Sequence, residues 1–196
     1  GNASRNDATQ STSGNRPTLV ADAINDEPAV SFDGSNDYMS LTSGFSDLTA
    51  GLSIFAVVKP VGTGTATLVT TGNSGPSNMA SLQTINTQAK FNAYNATTSS
   101  NVTTPTNSVV VGKFQLIDVV HDGSASADLS VKSISRVVGT VQNLTNTSRA
   151  QNYLGTDGSI STYVNGQIAE LLVYDRGVTV SEASDIRAYL TNRYQL

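Results

Sequence analysis

Few residues in this chain could carry chemistry, and their spacing narrows the field further. His121 is the one histidine and there is no cysteine. A nucleophilic triad would have to be built on His121, and no G-x-S-x-G elbow accompanies it. Its place beside Asp122-Gly123, where an apolar run ends, reads as a solvated histidine at a turn. Retaining glycoside hydrolysis needs two carboxylates about 5 Å apart, one of them kept protonated. The glutamates are Glu27, Glu170 and Glu182. Only Glu170 falls within a strand pattern, and no second acid alternates beside it. It reads as an acceptor of hydrogen bonds from a neighbouring strand or loop, because an unpaired buried carboxylate is costly. The chain is expected not to be an enzyme.

Two binding chemistries are better supplied. Asp33 and Asp37, with Ser35 between them, set oxygens at i, i+2 and i+4, like the start of a calcium loop. Calcium is thus the one cofactor the residues suggest. No bidentate glutamate follows at the EF-hand spacing, and Asp-Gly between two strands reads equally as a hairpin turn. Sugar binding asks for an aromatic face and for amide or carboxylate groups to meet hydroxyls. Tyrosines number 7 and tryptophans 0. The best local set is Gln88, Lys90, Asn92 and Tyr94, alternating with Ala89, Phe91 and Ala93 and continued by Asn95. A face carried on a strand holds still for a ligand, although an ordinary solvated outer face has the same pattern. Tyr153 and Tyr163 flank the Asp157-Gly158 turn, as packing or ligand residues. Tyr38, Tyr174, Tyr189 and Tyr194 read as core or as a seam between helix and sheet.

The elements that must position these residues are short strands punctuated by turns. Residues 166–175, GQIAELLVYD, are apolar on both faces, with Ile168, Leu172 and Tyr174 alternating against Ala169, Leu171 and Val173. Such a strand needs cover on both sides and belongs inside a sheet rather than at its edge. After it the period changes. Thr179 and Glu182 form a T-x-x-E capping box, Val178 is placed to staple onto Ala183, and Ala183, Ile186, Leu190 and Tyr194 make one stripe on a helix. Upstream, strands are expected over 19–24, 28–32, 38–41, 52–58, 66–71, 79–85, 88–95, 109–111, 114–121, 129–134, 137–141 and 153–154. Residues 72–76 read as a loop, and the Thr/Ser/Asn-rich stretch 96–107 as a surface loop with some edge pairing. Many short strands with one closing helix predict an all-β, two-sheet antiparallel β-sandwich with a short C-terminal α-helix.

Composition bounds the partners. The chain has 196 residues, suits one domain over 1–196, and is only 13% charged with a net charge of -4. Its 11 Lys and Arg are scattered, so no nucleic-acid partner is expected. No apolar run is long enough to span a membrane.

The motifs also carry a resemblance. G-x-I-A-E-x-x-V-Y-x-R over 166–176, the T-x-x-E turn and A-Y-L-x-x-R-Y over 188–194 resemble the C-terminal signature of bacterial laminin-G-like domains of the concanavalin A-like lectin/glucanase superfamily. Asn6-Asp7-Ala8-Thr9-Gln10, Arg16-Pro17-Thr18 and residues 28–38 resemble its N-terminal segment, and 52–60 the strand that follows. The resemblance implies a concanavalin A-like jelly roll. It implies a non-catalytic carbohydrate-recognition or adhesion role at a cell or particle surface or outside the cell. The expected partners are a glycan or polysaccharide and other domains of a longer chain or assembly. The glucanases of the superfamily carry an E-x-D-x-x-E strand that this chain lacks. The resemblance further implies a strand ahead of the first match, so the chain is expected to be excised from a longer protein. The rival expectation is a structural module, an adhesin spacer or virus-particle decoration domain that contacts protein without binding sugar.

Overall fold

The computed structural model describes residues 7–42, 44–73, 78–96, 98–132 and 134–196. Asn6 of the N-terminal match, positions 74–76 of the expected 72–76 loop, and position 133 lie outside them. Strands β1 (Thr18–Ile24), β2 (Glu27–Asp33), β13 (Asn165–Tyr174), β4 (Leu52–Pro60), β9 (Gln115–His121), β10 (Ser126–Val131) and β11 (Ser135–Thr140) form a seven-stranded sheet in that spatial order. The second sheet has six strands, β3 (Met39–Ser40), β12 (Gln151–Leu154), β5 (Thr65–Gly72), β6 (Ala80–Ile85), β7 (Gln88–Tyr94) and β8 (Ser99–Thr103). Every pairing is antiparallel. Phe32, Ile54, Leu82, Phe91, Ile117 and Leu129 belong to the core between the two sheets. The all-β sandwich and its closing helix, α1 (Val180–Tyr194), are as the sequence predicts.

Helix α1 covers the other side of the seven-stranded sheet. Phe55, Val57 and Leu116 point away from the main core and pack with Val178, Ala183, Leu190 and Tyr194 in a second apolar cluster. This explains why β4 is a continuous apolar run: Ile54, Ala56 and Val58 serve one core while Phe55 and Val57 serve the other. The capping box forms, with Glu182 N–H donating to the Thr179 side chain and Thr179 N–H to the Glu182 carboxylate. The Arg176 guanidinium and these backbone contacts pull the Glu182 pKa down to about 2.

Several expectations need correction. A β-bulge lies between Ile168 and Glu170 opposite Val57 and Val58. It reverses the alternation, because an extra residue flips every side chain beyond it. Ile168, Leu171 and Val173 therefore face the main core, while Ala169, Leu172 and Tyr174 join the helix cluster. β13 lies inside the sheet, yet it pairs with β2 only from Asn165 to Ile168. The turn after Asp33 does not make a hairpin, since β2 and β3 belong to different sheets. Residues 109–111 form no strand, although Val109 is buried. Tyr194 is buried at the seam and Tyr174 meets Phe55 edge-on, but Tyr189 is 47% exposed, where its hydroxyl accepts from Arg193. Tyr38 packs edge-on against Tyr153.

The helix is pinned by ions. Asp118 on β9 is fully buried and takes two-point contact from Arg187, at 2.6 Å and 3.1 Å. Burial pushes the Asp118 carboxyl toward its protonated form, and the facing guanidinium opposes this. The Arg187 pKa is raised by its hydrogen bonds to Asp118, so the pair stands as an ion pair. Removing only one partner leaves an uncompensated buried charge. Arg187→Met is therefore expected to cost about 3–5 kcal/mol in urea unfolding, and adding Asp118→Leu to recover most of that loss.

His121 is not solvated. It is fully buried at the end of β9, with Phe91 beside it. Nδ1 accepts the Gly123 N–H at 3.0 Å, which leaves Nε2–H to donate to the Gln142 carbonyl at 3.0 Å. Burial lowers its pKa, against smaller upward pulls from the Gln142 carbonyl and Asp122. Above the free-histidine pKa of about 6.5 both folded and unfolded states are neutral; below it the unfolded chain takes up the proton first. Stability is expected to hold at neutral pH and to fall as the pH drops through about 6.5. His121→Gln is expected to flatten that slope between about pH 6.5 and pH 5 in urea midpoints, because no other histidine titrates there.

Candidate functional site

The outer face of the six-stranded sheet is a field of amides and hydroxyls, built by cross-strand register. Asn101, Asn92, Ser81 and Thr70 are successive partners across β8, β7, β6 and β5. Thr103, Lys90, Gln83 and Thr67 form the next row. Asn92 is only 4% exposed, and its amide donates to Ser81 Oγ at 3.2 Å and Gln83 Oε1 at 2.8 Å. Gln83 donates in turn to Thr67 Oγ1, which is bonded to Thr162 at 2.8 Å. A polar network thus ties the loop 155–164 to the sheet, and buried amides that hold one another also hold their neighbours still.

This locates each sequence candidate. Gln88, Lys90, Asn92 and Tyr94 do share one face of β7, with Ala89, Phe91 and Ala93 in the core. Gln88 is half-buried, and its amide donates to the Thr104 carbonyl at 2.6 Å. Asn95 lies beyond the strand; its Oδ1 accepts from Thr98, and its amide donates to Gln142. Lys90 and Tyr94 are half-exposed, and their side chains have no polar partner among the described residues. The register adds residues that sequence reasoning missed. Ser99, Asn101 and Thr103 on edge strand β8 stand opposite Tyr94, Asn92 and Lys90. Their alternation around buried Val102 was the available signal inside the stretch read as loop.

The strands of this sheet contain one charged residue, Lys90. Carboxylates are confined to other parts of the molecule. All three glutamates contact the C-terminal helix or its cap: Glu27 meets Arg193 at 3.0 Å, Glu170 accepts from the Tyr194 hydroxyl at 2.9 Å, and Glu182 closes the capping box. Glu170 is an acceptor as expected, but its donor comes from the helix. Asp33 Oδ1 accepts the backbone N–H groups of Ser35, Asn36 and Asp37, which lowers its pKa. Asp37 is buried, and its Oδ2 accepts the Asp33 N–H. Burial raises the Asp37 pKa, aided by the nearby Asp33 charge. Both carboxylates thus stabilise the turn that carries the chain from one sheet to the other. Among the described residues, no group of three or more His, Asp or Glu is placed to hold a metal ion, and no helix is long and apolar enough to cross a membrane.

Comparison with known proteins adds to this geometry. The family model for laminin-G-like domains of the concanavalin A-like lectin/glucanases superfamily matches residues 33–184. Among solved structures, the botulinum neurotoxin serotype G binding domain superposes with TM-score 0.65 at 12% identity, over 92% of this chain and 48% of that one. The CBM40 of a Ruminococcus gnavus IT-sialidase, bound to α2,3-sialyllactose, gives TM-score 0.61 at 12% identity, over 81% and 95%. Mouse laminin α1 domains LG4-5 give 0.58 at 16%, over 76% and 41%. At such identities the likeness is one of fold. The chain spans about half the length of the botulinum chains it matches. A comparison with curated proteins gives no match.

The turn geometry around Asp33 makes a prediction about calcium. An ion held only by the folded state would raise the melting temperature with concentration. With both carboxylates engaged by backbone N–H groups, about 5 mM calcium is expected to leave the thermal midpoint unchanged, as read by calorimetry with and without chelator. Asp33→Ala, in contrast, is expected to lower stability by about 1–2 kcal/mol through the lost turn contacts.

Proposed function

The chain belongs to the laminin-G-like family of the concanavalin A-like lectin/glucanases superfamily, and from that premise we propose that it is a non-catalytic glycan-recognition module acting outside the cell or at a surface. The observation that carries this reading is the outer face of the six-stranded sheet. Its accessible part, Gln83, Lys90, Tyr94, Ser99, Asn101 and Thr103 beside buried Asn92, is rich in amides and hydroxyls, with Lys90 as the one charge within the strands. Amides and hydroxyls exchange hydrogen bonds with sugar hydroxyls, and Tyr94 offers an apolar surface for a ring. Lys90 adds a cation with no carboxylate among the strands to compensate it, which favours an acidic sugar over a neutral one. The fold neighbour that binds sialyllactose is consistent with this preference. The non-catalytic part of the reading is supported by the three glutamates, each engaged at the helix or its cap. Glu27 and Glu170 lie either side of the Arg193 guanidinium, at 3.0 Å and 3.5 Å, which neutralises them together, and Glu182 closes the capping box.

The mechanism is shallow docking. Asn92, Gln83 and Thr67 brace one another and keep the face rigid, while Lys90, Tyr94, Asn101 and Thr103 meet the ligand. A surface contact with one tyrosine and one lysine supports an affinity of about 1 mM per site, roughly −4 kcal/mol. Useful attachment then comes from several copies acting together. Calorimetric titration with 3′-sialyllactose and lactose tests the reading. The acidic sugar is expected to bind at least about tenfold more tightly, a difference of about 1.4 kcal/mol. Lys90→Gln is expected to abolish that difference, and Tyr94→Ala to weaken both sugars. Absence of saturable binding across a broad glycan panel would reject the reading and favour a module that contacts protein only.

A further inference from the structure

The chain has only four lysines; two of them, Lys113 and Lys132, line one depression on the seven-stranded sheet, and a third, Lys59, lies over Phe114 in its wall. The depression, of about 270 Å³, is lined by Val110, Lys113, Phe114, Leu116, Lys132 and Ile134, with Gln115 and Leu196 completing it. Its floor is apolar: Leu116 is fully buried, and Ile134 is 49% exposed although it is a large aliphatic residue. The Lys59 ammonium lies over the Phe114 ring, 5.6 Å from its centre. Lys132 Nζ donates to the Leu196 main-chain oxygen at 2.6 Å. Lys113 is exposed, and none of the three lysines has an ion-pair partner among the described residues. Among the described residues, no Asp or Glu lines the depression.

One wall is held in place before any ligand arrives. The buried Gln115 amide donates to the carbonyls of Val110 and Lys113, and its oxygen accepts the Val110 N–H. This locks the turn that carries Lys113 and Phe114. In a chain of net charge -4, Lys59 and Lys113 without an ion-pair partner among the described residues stand apart from the rest of the surface. An apolar floor excludes a fully hydrated anion such as phosphate, and the lysine rim gives a neutral apolar ligand nothing to match. The charge and the floor together select a molecule that has both parts.

We propose that this depression is a second binding site, which takes a small amphipathic anion with its hydrocarbon or ring on Phe114, Leu116 and Ile134 and its carboxylate at the Lys59 and Lys113 ammonium groups. At about 270 Å³ the cavity falls just below the usual range for ligand pockets, roughly 300 Å³ upward, which limits the ligand to a small one. The site does not depend on glycan recognition at β7.

Octanoate and octan-1-ol serve as matched probes, titrated calorimetrically into the whole chain. Octanoate is expected to bind at least about tenfold more tightly than the alcohol, and to weaken when salt rises to about 0.5 M, because the rim ammonium groups face solvent. The double variant Lys59→Gln, Lys113→Gln is expected to lose that tenfold preference, and Ile134→Asp to lose octanoate altogether. Lys90→Gln should bind octanoate like the parent chain, which separates this site from the sugar face. Equal binding of acid and alcohol by the parent chain would overturn the proposal. So would no octanoate binding below about 10 mM, a limit that corresponds to roughly −3 kcal/mol.

Discussion

The structure depends on one constraint: the seven-stranded sheet is apolar on both faces around β4, β9 and β13, so neither face can be left in water. One face is covered by the second sheet. The other is covered by a single helix that begins six residues after β13 ends. A helix of that length supplies only a narrow stripe, Ala183, Ile186, Leu190 and Tyr194, and its docking is completed by polar contacts at both ends. Ser53 inside β4 accepts the Val178 N–H and donates to the Arg176 carbonyl, fixing the entry. Asn25 and Lys132 hold the exit through main-chain oxygens of Tyr194 and Leu196.

That constraint reaches the question of function. The residues most able to perform acid–base chemistry are those the helix recruits. Glu170 is turned toward the helix by the bulge at Ala169, and Glu27 lies where Arg193 can reach it. Asp118, buried under Arg187, is part of the same attachment. The second sheet needs no helix because its outer face is already polar, and Lys90, Tyr94, Asn101 and Thr103 at its β7–β8 end reach solvent. One face of the sandwich is thus closed by apolar packing, while the other is closed over Thr67, Thr70, Ser81 and Asn92 by polar contacts and reaches water along β7 and β8.

Arg149 shows the same logic in the loops. It is 2% exposed and has no carboxylate in hydrogen-bond contact among the described residues, yet its guanidinium donates to the carbonyls of Phe45, Ser46, Asn78, Thr145 and Thr147. Asp47 stabilises its charge from a distance, while burial lowers its pKa. A cation surrounded by carbonyl dipoles can gather several connections that have no regular structure of their own. In sequence Arg149 is one of the scattered basic residues, with nothing local to mark its role.

Much of the fold was legible because it rests on local pattern. The T-x-x-E box, the stripe that follows it and the strict alternation over β7 each need only neighbours in sequence to be read, and each forms as expected. Tertiary structure decided what depends on partners distant in the chain. A bulge carries no certain sequence mark, so the faces of Leu171, Leu172, Val173 and Tyr174 were settled by the register of β13 against β4. Whether Asp33-Gly34 joins two strands of one sheet or crosses between sheets depends on where β3 finds its partner, which is β12, more than a hundred residues later. His121 lies beside a turn in sequence but inside the protein in space, because Phe91 and Gln142 close over it. The sequence alone determined which residues alternate and where a helix begins; long-range pairing decided which side faces water, since burial belongs to the assembled layers and to no single strand.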